Sequence, residues 1–147
     1  MTEPINYHKL RVERLTENHR DIIKEFEIDT TKTDEVELKK FLNEDALTNQ
    51  ERDSISKTYL IFYNPDNKLA GYISLMSDAI NVRENPETTS EFRRLGIEYH
   101  TLPAIKIGRM CVSKPYRERG VGTFLLLLTL KRLLDINEKI ACRFLVT

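Results

Sequence analysis

Ile107-Gly-Arg-Met-Cys-Val-Ser-Lys-Pro-Tyr-Arg-Glu-Arg-Gly-Val-Gly-Thr-Phe-Leu-Leu-Leu-Leu128 decides how the rest of the sequence is read. Just before and within it, Ile105 and Ile107 face one side of an extended strand, but Met110 and Val112 fall out of phase with them. One extra residue at Gly108-Arg109 restores the two-residue period, so a β-bulge is predicted there. Lys114-Pro115-Tyr116 ends the strand, and Gly120-Val121-Gly122 opens a helix running from Thr123 to about Ile136. That helix is apolar nearly all round, with Phe124 to Leu128 unbroken, and is expected to be buried. Lys131 and Arg132 near its C-terminal end suit the helix dipole. Ile140 to Val146 reads as a final strand. Strand, loop, helix and strand make a βαβ unit whose connection should be right-handed.

The turn ahead of the helix carries chemistry. A helix N-terminus offers unpaired N–H groups and partial positive charge, for which phosphate is a natural ligand. Gly120 and Gly122 let the backbone approach such a group closely, and Lys114, Arg117 and Arg119 surround it with positive charge. The same glycines would serve a plain strand-to-helix turn. The bulged strand before them and the apolar helix after them favour a ligand site.

Upstream, Tyr7 to Leu15 alternates as a first strand, and a helix is expected from Thr16 through Ile22, Ile23 and Phe26. A second helix begins at Asp34, where Asp34 and Glu37 have capping-box-like spacing. Leu38, Phe41, Leu42 and Ala46 give it one apolar stripe. Lys57 to Tyr63 and Leu69 to Met76 are strands joined through Asn64-Pro65-Asp66-Asn67, a hairpin. Residues 78–100 read ambiguously: Asn85-Pro86 breaks them, and Glu91 to Leu95 fits a short helix. Pro103 sits where the next strand is expected to begin.

The chain's 147 residues suit one domain. With 40% hydrophobic and 31% charged residues, the composition excludes collagen-like, low-complexity and disordered classes. The longest apolar run falls far short of a membrane span, and no basic-then-apolar leader follows Met1, so a cytoplasmic protein with no membrane partner is expected. Cys111 and Cys142 make neither a disulfide framework nor a zinc site, and no metal is expected. The net charge of zero hides an asymmetry: 14 Lys and Arg against 20 Asp and Glu in residues 1–100, and nine against three in 101–147. Neutrality gives no support for a general nucleic-acid binder, but a local basic segment can hold one small polyanion.

Arg117, Gly120 and Gly122 fill the three defined positions of a motif, Arg or Gln, two residues, Gly, one residue, Gly or Ala. In this, Ile107 to Leu128 resembles the acetyl-coenzyme A segment of the GNAT N-acetyltransferase superfamily. The resemblance implies an α/β fold: a mixed, mostly antiparallel sheet with flanking helices and a central parallel strand–helix–strand unit, in one domain over residues 1–147. It implies that the strand end Met110-Cys111-Val112 pairs with the pantetheine arm. The amides from about Glu118 through Arg119, Gly120, Val121 and Gly122 to Thr123 would cradle the pyrophosphate. Leu38 to Ala46, Tyr59 to Phe62 and Gly71-Tyr72-Ile73 are similar to the branch found as toxins in type II toxin–antitoxin modules, whose known members acetylate aminoacyl-tRNA.

The family continues past this strand with a helix and a closing hairpin, and that helix commonly supplies a tyrosine that protonates the thiolate. The sequence stops at Thr147, so the fold is expected to be C-terminally incomplete and no general acid is carried over. An apolar strand at residues 140–146 left unpaired would invite aggregation, so a second copy or another chain is expected to cover it. Cys111 lacks a His or Asp positioned to activate it and is set aside as a nucleophile. His100 is weighed as the base and read as an ordinary loop residue; His8 and His19 have no metal-ligand spacing. The expected function is acetyl transfer from acetyl-coenzyme A to a small-molecule or macromolecular primary amine. Two alternatives stand beside it: a catalytically silent coenzyme-binding or interaction module, and a toxin neutralised by an antitoxin.

Overall fold

The computed structural model describes residues 3–147. Five strands form one sheet in chain order: β1 (Leu10–Arg14), β2 (Lys57–Tyr63), β3 (Lys68–Asn81), β4 (Thr101–Val112) and β5 (Phe144–Val146). β1 to β4 pair antiparallel, and β5 lies parallel to β4. The helices are α1 (Thr33–Lys40), α2 (Ala46–Glu51), α3 (Pro86–Arg94) and α4 (Val121–Asn137), with a π-helical turn at Phe41–Asp45 between the first two. This is the mixed α/β sheet expected from the sequence, with β4–α4–β5 as its parallel unit.

Strand alternation sorts most of the apolar residues into two cores, and a third, smaller cluster joins Val82 and Leu102 to Phe92 of α3. Ile61, Ile73, Ile105 and Ile107 meet Val121 and Leu125 of α4 on one face. Leu60, Phe62, Tyr72 and Cys111 meet Phe26, Phe41, Leu42 and Ala46 on the other. The β2–β3 turn forms where predicted. Asn67 takes a left-handed φ of 49°, which asparagine tolerates. Arg11 donates to Asn64 Oδ1 at 2.7 Å and to Asn67 Oδ1 at 3.0 Å, fixing the turn to β1.

The bulge lies where the phase break put it. Ser74 opposes Arg109 and Leu75 opposes Ile107, which leaves Gly108 without a partner on β3. Ile105 and Ile107 therefore share a face with Met110 and Val112, while Cys111 belongs to the opposite core.

Several elements differ from the sequence reading. The first strand is shorter than Tyr7 to Leu15. Tyr7–Lys9 is a 3-10 turn, held by the Asn6 side chain accepting from His8 N–H at 3.0 Å. The helix expected from Thr16 to Phe26 is two 3-10 turns, Glu17–His19 and Ile22–Glu25. The Thr16 N–H donates to His19 Nδ1 at 2.9 Å, a contact that caps the start of the first of these turns. α1 starts at Thr33 with no side-chain cap, so Asp34 lies in the first turn and its spacing to Glu37 makes no box. β3 runs past Met76 to Asn81, and β4 begins at Thr101, with Pro103 inside it opposite Ala79. The ambiguous segment holds α3: the Asn85 side chain accepts from Glu87 and Thr88 N–H, and Pro86 follows as the first helical residue.

The last helix is not buried all round. Val121, Leu125 and Thr129 are buried. Leu126, Leu127, Leu130 and Leu134 are exposed, because the sheet covers one face only. The final strand is confined to Phe144–Val146, and Ile140 is 69% exposed. Asn137 Oδ1 accepts from Cys142 N–H at 2.8 Å, and the Arg143 N–H donates to the Pro103 carbonyl at 2.9 Å. Those bonds carry 140–143 as irregular chain from the end of α4 to the edge of β4.

Candidate functional site

The residues singled out in the sequence gather where β4 ends and α4 begins. Gly71 explains the close approach. A Cβ there would stand 3.1 Å from the Cys111 carbonyl oxygen, tight enough to push the end of β4 away by a few tenths of an ångström, and at ordinary contact, 3.5 Å, from Val121 Cγ1 on α4. Val121 buries its side chain in that contact, which leaves its amide as the group it can offer a ligand.

The helix terminus is reached through two left-handed residues, Glu118 at φ 59° and Gly120 at φ 89°. The first helical bond runs from Phe124 N–H to the Gly120 carbonyl at 3.1 Å, so the amides of Val121, Gly122 and Thr123 precede the ladder. No side chain caps the helix. The N-terminal segment straps the turn from outside: Ile5 N–H donates to the Arg119 carbonyl at 2.8 Å, and the Tyr7 hydroxyl donates to the Gly120 carbonyl at 3.1 Å. A Cβ on Gly122 would meet no protein atom within 4 Å, so the chain leaves open space beside the orphan amides.

The β5 side of β4 is paired only at Ala104, Ile105 and Lys106, opposite Phe144, Leu145 and Val146. From Ile107 to Val112 that edge has no strand partner among the described residues. Met110 and Val112 on it are half-buried and Cys111 is buried. At the bulge end, a hollow of about 560 Å³ is lined by Asp34, Glu37, Phe41, Asp45, Gly108 and Arg109 among others. The Arg109 guanidinium lies over the Phe41 ring, 4.7 Å from its centroid.

The three cations expected around the helix terminus differ in what they do. Lys114 is exposed. Arg119 donates through Nε to the Glu3 carbonyl at 3.0 Å and lies 5.6 Å from the Tyr63 ring centroid. Arg117 donates through Nε to the Val112 carbonyl at 2.9 Å and through Nη2 to Glu35. Glu35 was not singled out in the sequence: 82 positions separate it from Arg117, and no spacing links them. The Arg117 bond and the Asp29 amide hold its carboxyl below the ordinary glutamate range. Arg132, read as a dipole partner, lies over the Tyr59 ring instead, 4.9 Å from its centroid.

Burial pushes the Cys111 thiol up, which keeps it protonated and unsuited to attack. Burial likewise raises Tyr72, whose hydroxyl donates to the Leu38 carbonyl at 2.6 Å. Tyr116 is raised by burial and by donating to Asp66 at 2.8 Å. Both hydroxyls serve the framework.

An amide-rich helix terminus beside a strand edge that loses its partner can receive a phosphate group and an extended, amide-bearing chain together. The family model described as "Acetyltransferase (GNAT) family" matches residues 19–145. The chain belongs to the GNAT acetyltransferase family. A search of curated protein sequences finds no match. Among solved structures, the GNAT chain is similar to "AtaT complexed with acetyl-methionyl-tRNAfMet", with 20% identity over 93% of this chain and 76% of that one, at a TM-score of 0.76. It is also similar to "Crystal structure of AtaTR bound with AcCoA", with 22% identity over 95% and 77% and a TM-score of 0.70. "The crystal structure of KacTA-DNA complex" matches at 18% identity over 93% and 74%, with a TM-score of 0.63. The likeness to these structures is one of fold. Among the described residues, no helix of this GNAT domain is long and apolar enough to cross a membrane.

Proposed function

We propose that residues 1–147 form a single coenzyme-binding domain that transfers an acetyl group from acetyl-coenzyme A to a primary amine. The observation that carries this reading is the juxtaposition of the uncapped first turn of α4 with the unpartnered β4 edge. In it the backbone of Glu118, Arg119, Gly120, Val121, Gly122 and Thr123 holds the pyrophosphate. The edge at Met110, Cys111 and Val112 takes the pantetheine arm. The open space beside Gly122 supports the fit, because a bulky diphosphate needs main-chain approach there.

The coenzyme supplies an activated acetyl thioester. The chain's own contribution is orientation: holding amine and thioester in contact replaces a bimolecular encounter. The hollow beside Gly108 lies at the bulge end of the open edge, and its carboxylates Asp34, Glu37 and Asp45 favour an approaching cationic amine. An amine is mostly protonated near neutral pH, so a base or a water relay takes one proton before attack. The amine nitrogen then bonds the carbonyl carbon, the C–S bond breaks, and the proton the nitrogen sheds ends on the departing thiolate, directly or through water, with strand donors stabilising the intermediate oxyanion.

The fold likeness to AtaT and KacT supports a second reading, in which the chain is a toxin that acetylates aminoacyl-tRNA and is neutralised by an antitoxin. A second copy or an antitoxin segment would cover residues 140–146, where Ile140 is bare. Unpaired Cys111 and Cys142 support a reducing, cytoplasmic setting.

Mixing the protein with acetyl-coenzyme A and a panel of amines that includes charged tRNA tests these readings. Free thiol released with an amine supports the transferase, and release with charged tRNA alone, together with growth arrest relieved by a co-expressed antitoxin, supports the toxin. Calorimetric binding without turnover favours the silent module. No binding removes the coenzyme site.

A further inference from the structure

Arg117 occupies the first position of the glycine-containing turn, yet its side chain is committed to protein groups. Nε donates to the carbonyl of Val112, the last residue of β4, at 2.9 Å, and Nη2 donates to Glu35 Oε1. Glu35 is buried at 8% exposure on α1, and the same oxygen accepts the Asp29 N–H at 3.1 Å. A carboxylate in that position offsets the arginine's charge, so the pair offers a bisphosphate less attraction than a lone cation would.

Two more bonds lie beside it. Lys114 N–H donates to the Glu27 carbonyl at 2.8 Å, and Glu27 N–H donates to Ser113 Oγ at 3.2 Å. The segment leading into α1 is thus stitched to the strand-to-helix turn. Beyond the far end of α1, Phe41 lies under Arg109, next to the bulge at Gly108. The helix is anchored to both ends of the β4 stretch whose other edge is open.

On the reading that this edge takes acetyl-coenzyme A, we infer that Arg117 is a positioning residue. Paired with Glu35, it locks α1 to the end of β4 and so fixes the posture of the 118–123 amides, and it gives no charge of its own to the pyrophosphate. The pair thereby links the wall of the acceptor hollow to the phosphate-binding turn.

The test uses Glu35→Ala, Arg117→Ala, the double variant, Arg117→Lys and Glu35→Gln in the full chain. Acetyl-coenzyme A affinity is measured at two salt concentrations, with amide hydrogen exchange on the unliganded protein. A displaced turn should weaken binding by about tenfold in either alanine variant. The double variant should lose less than the two single losses added together, since the Arg117–Glu35 bond is removed in both, while the Val112 and Asp29 bonds are each lost with one partner only. The salt dependence should match wild type, Arg117→Lys should not restore affinity, and exchange should rise together in α1 and in residues 113–120. Glu35→Gln keeps an acceptor oxygen and should lose less than Glu35→Ala; it replaces the alanine variant if that one fails to fold.

The inference is overturned if Glu35→Ala tightens coenzyme binding or leaves it unchanged while Arg117→Ala weakens it. It is equally overturned if Arg117→Lys binds as wild type does, or if Arg117→Ala flattens the salt dependence. Wild-type protein that binds no acetyl-coenzyme A would remove the coenzyme reading. Exchange would then decide the lock by itself: a joint rise upholds it, and a rise confined to one segment overturns it.

Discussion

At its first turn α4 is wedged into the molecule, with Val121 beside Gly71, Leu125 fully buried and Gly120 under the Tyr7 hydroxyl. On its other face, from Leu126 onward, the same helix presents Leu126, Leu127, Leu130 and Leu134 to solvent, the last of them 68% exposed, while Thr129 stays buried. Residue type is constant across the two regions, so the surroundings make the difference. The packed end stands where β3 and β4 approach each other closely, and it is the end that bears the candidate ligand groups. Orphan amides are useful to a ligand only when they are held still, and the close packing around Gly71 holds them. The outer stripe contributes little to the fold, and as contiguous apolar surface it is a liability for association.

The largest expected effect tests that contrast directly. Leu125→Ala should lower the unfolding free energy by about 2–5 kcal/mol, because it opens a cavity in a closed core. Denaturant titration of Leu127→Ala should find a change within about 0.5 kcal/mol of wild type. Equal losses at the two positions would mean that the outer face is covered in solution. Next in size, Gly120→Ala forces a left-handed φ on an L residue and should lose about 1–2 kcal/mol, read by the same titration.

The pH dependence of the Glu35 pair follows. Its carboxyl is held below the ordinary glutamate range by Arg117 and then by the Asp29 amide. The stability this contributes is fully present above that range and is lost as pH falls through the depressed native value. The difference in melting temperature between wild type and Glu35→Gln should therefore be constant near neutrality and close in acid. The smallest effect belongs to Gly122→Ala, where φ is ordinary and the Cβ meets nothing. Its thermal stability should equal wild type or exceed it slightly, by under about 1 kcal/mol. A large loss there would mean that the first turn is tighter than its geometry indicates.

The bulge was legible because burial imposes a two-residue period, and a break in that period at Gly108-Arg109 has one simple repair. The hairpin was legible from Asn64 to Asn67 for a similarly local reason. The backbone half of the candidate site was legible too, since Gly120 and Gly122 mark where amides are bare. Its side-chain half was not. Glu35 meets Arg117 through the tertiary fold, and a lone glutamate in a charged helix gives no sign of its partner. Pattern also misled at α4, where an all-round apolar sequence suggested burial that the sheet supplies on one face only. The 3-10 turns after Thr16 escaped because their apolar spacing resembles that of a longer helix, and the capping contact between Thr16 and His19 starts either one.

Gly108 is the residue this strand could lose without disturbing either face. With it gone, Ile107 and Arg109 would follow in plain alternation, Met110 and Val112 would stay toward α4, and Cys111 would keep to the opposite core. What the loss removes is the kink and added twist that the surplus residue gives the strand beside Phe41 and Arg109. A single frame-preserving codon deleted here should therefore spare folding and reshape the hollow alone.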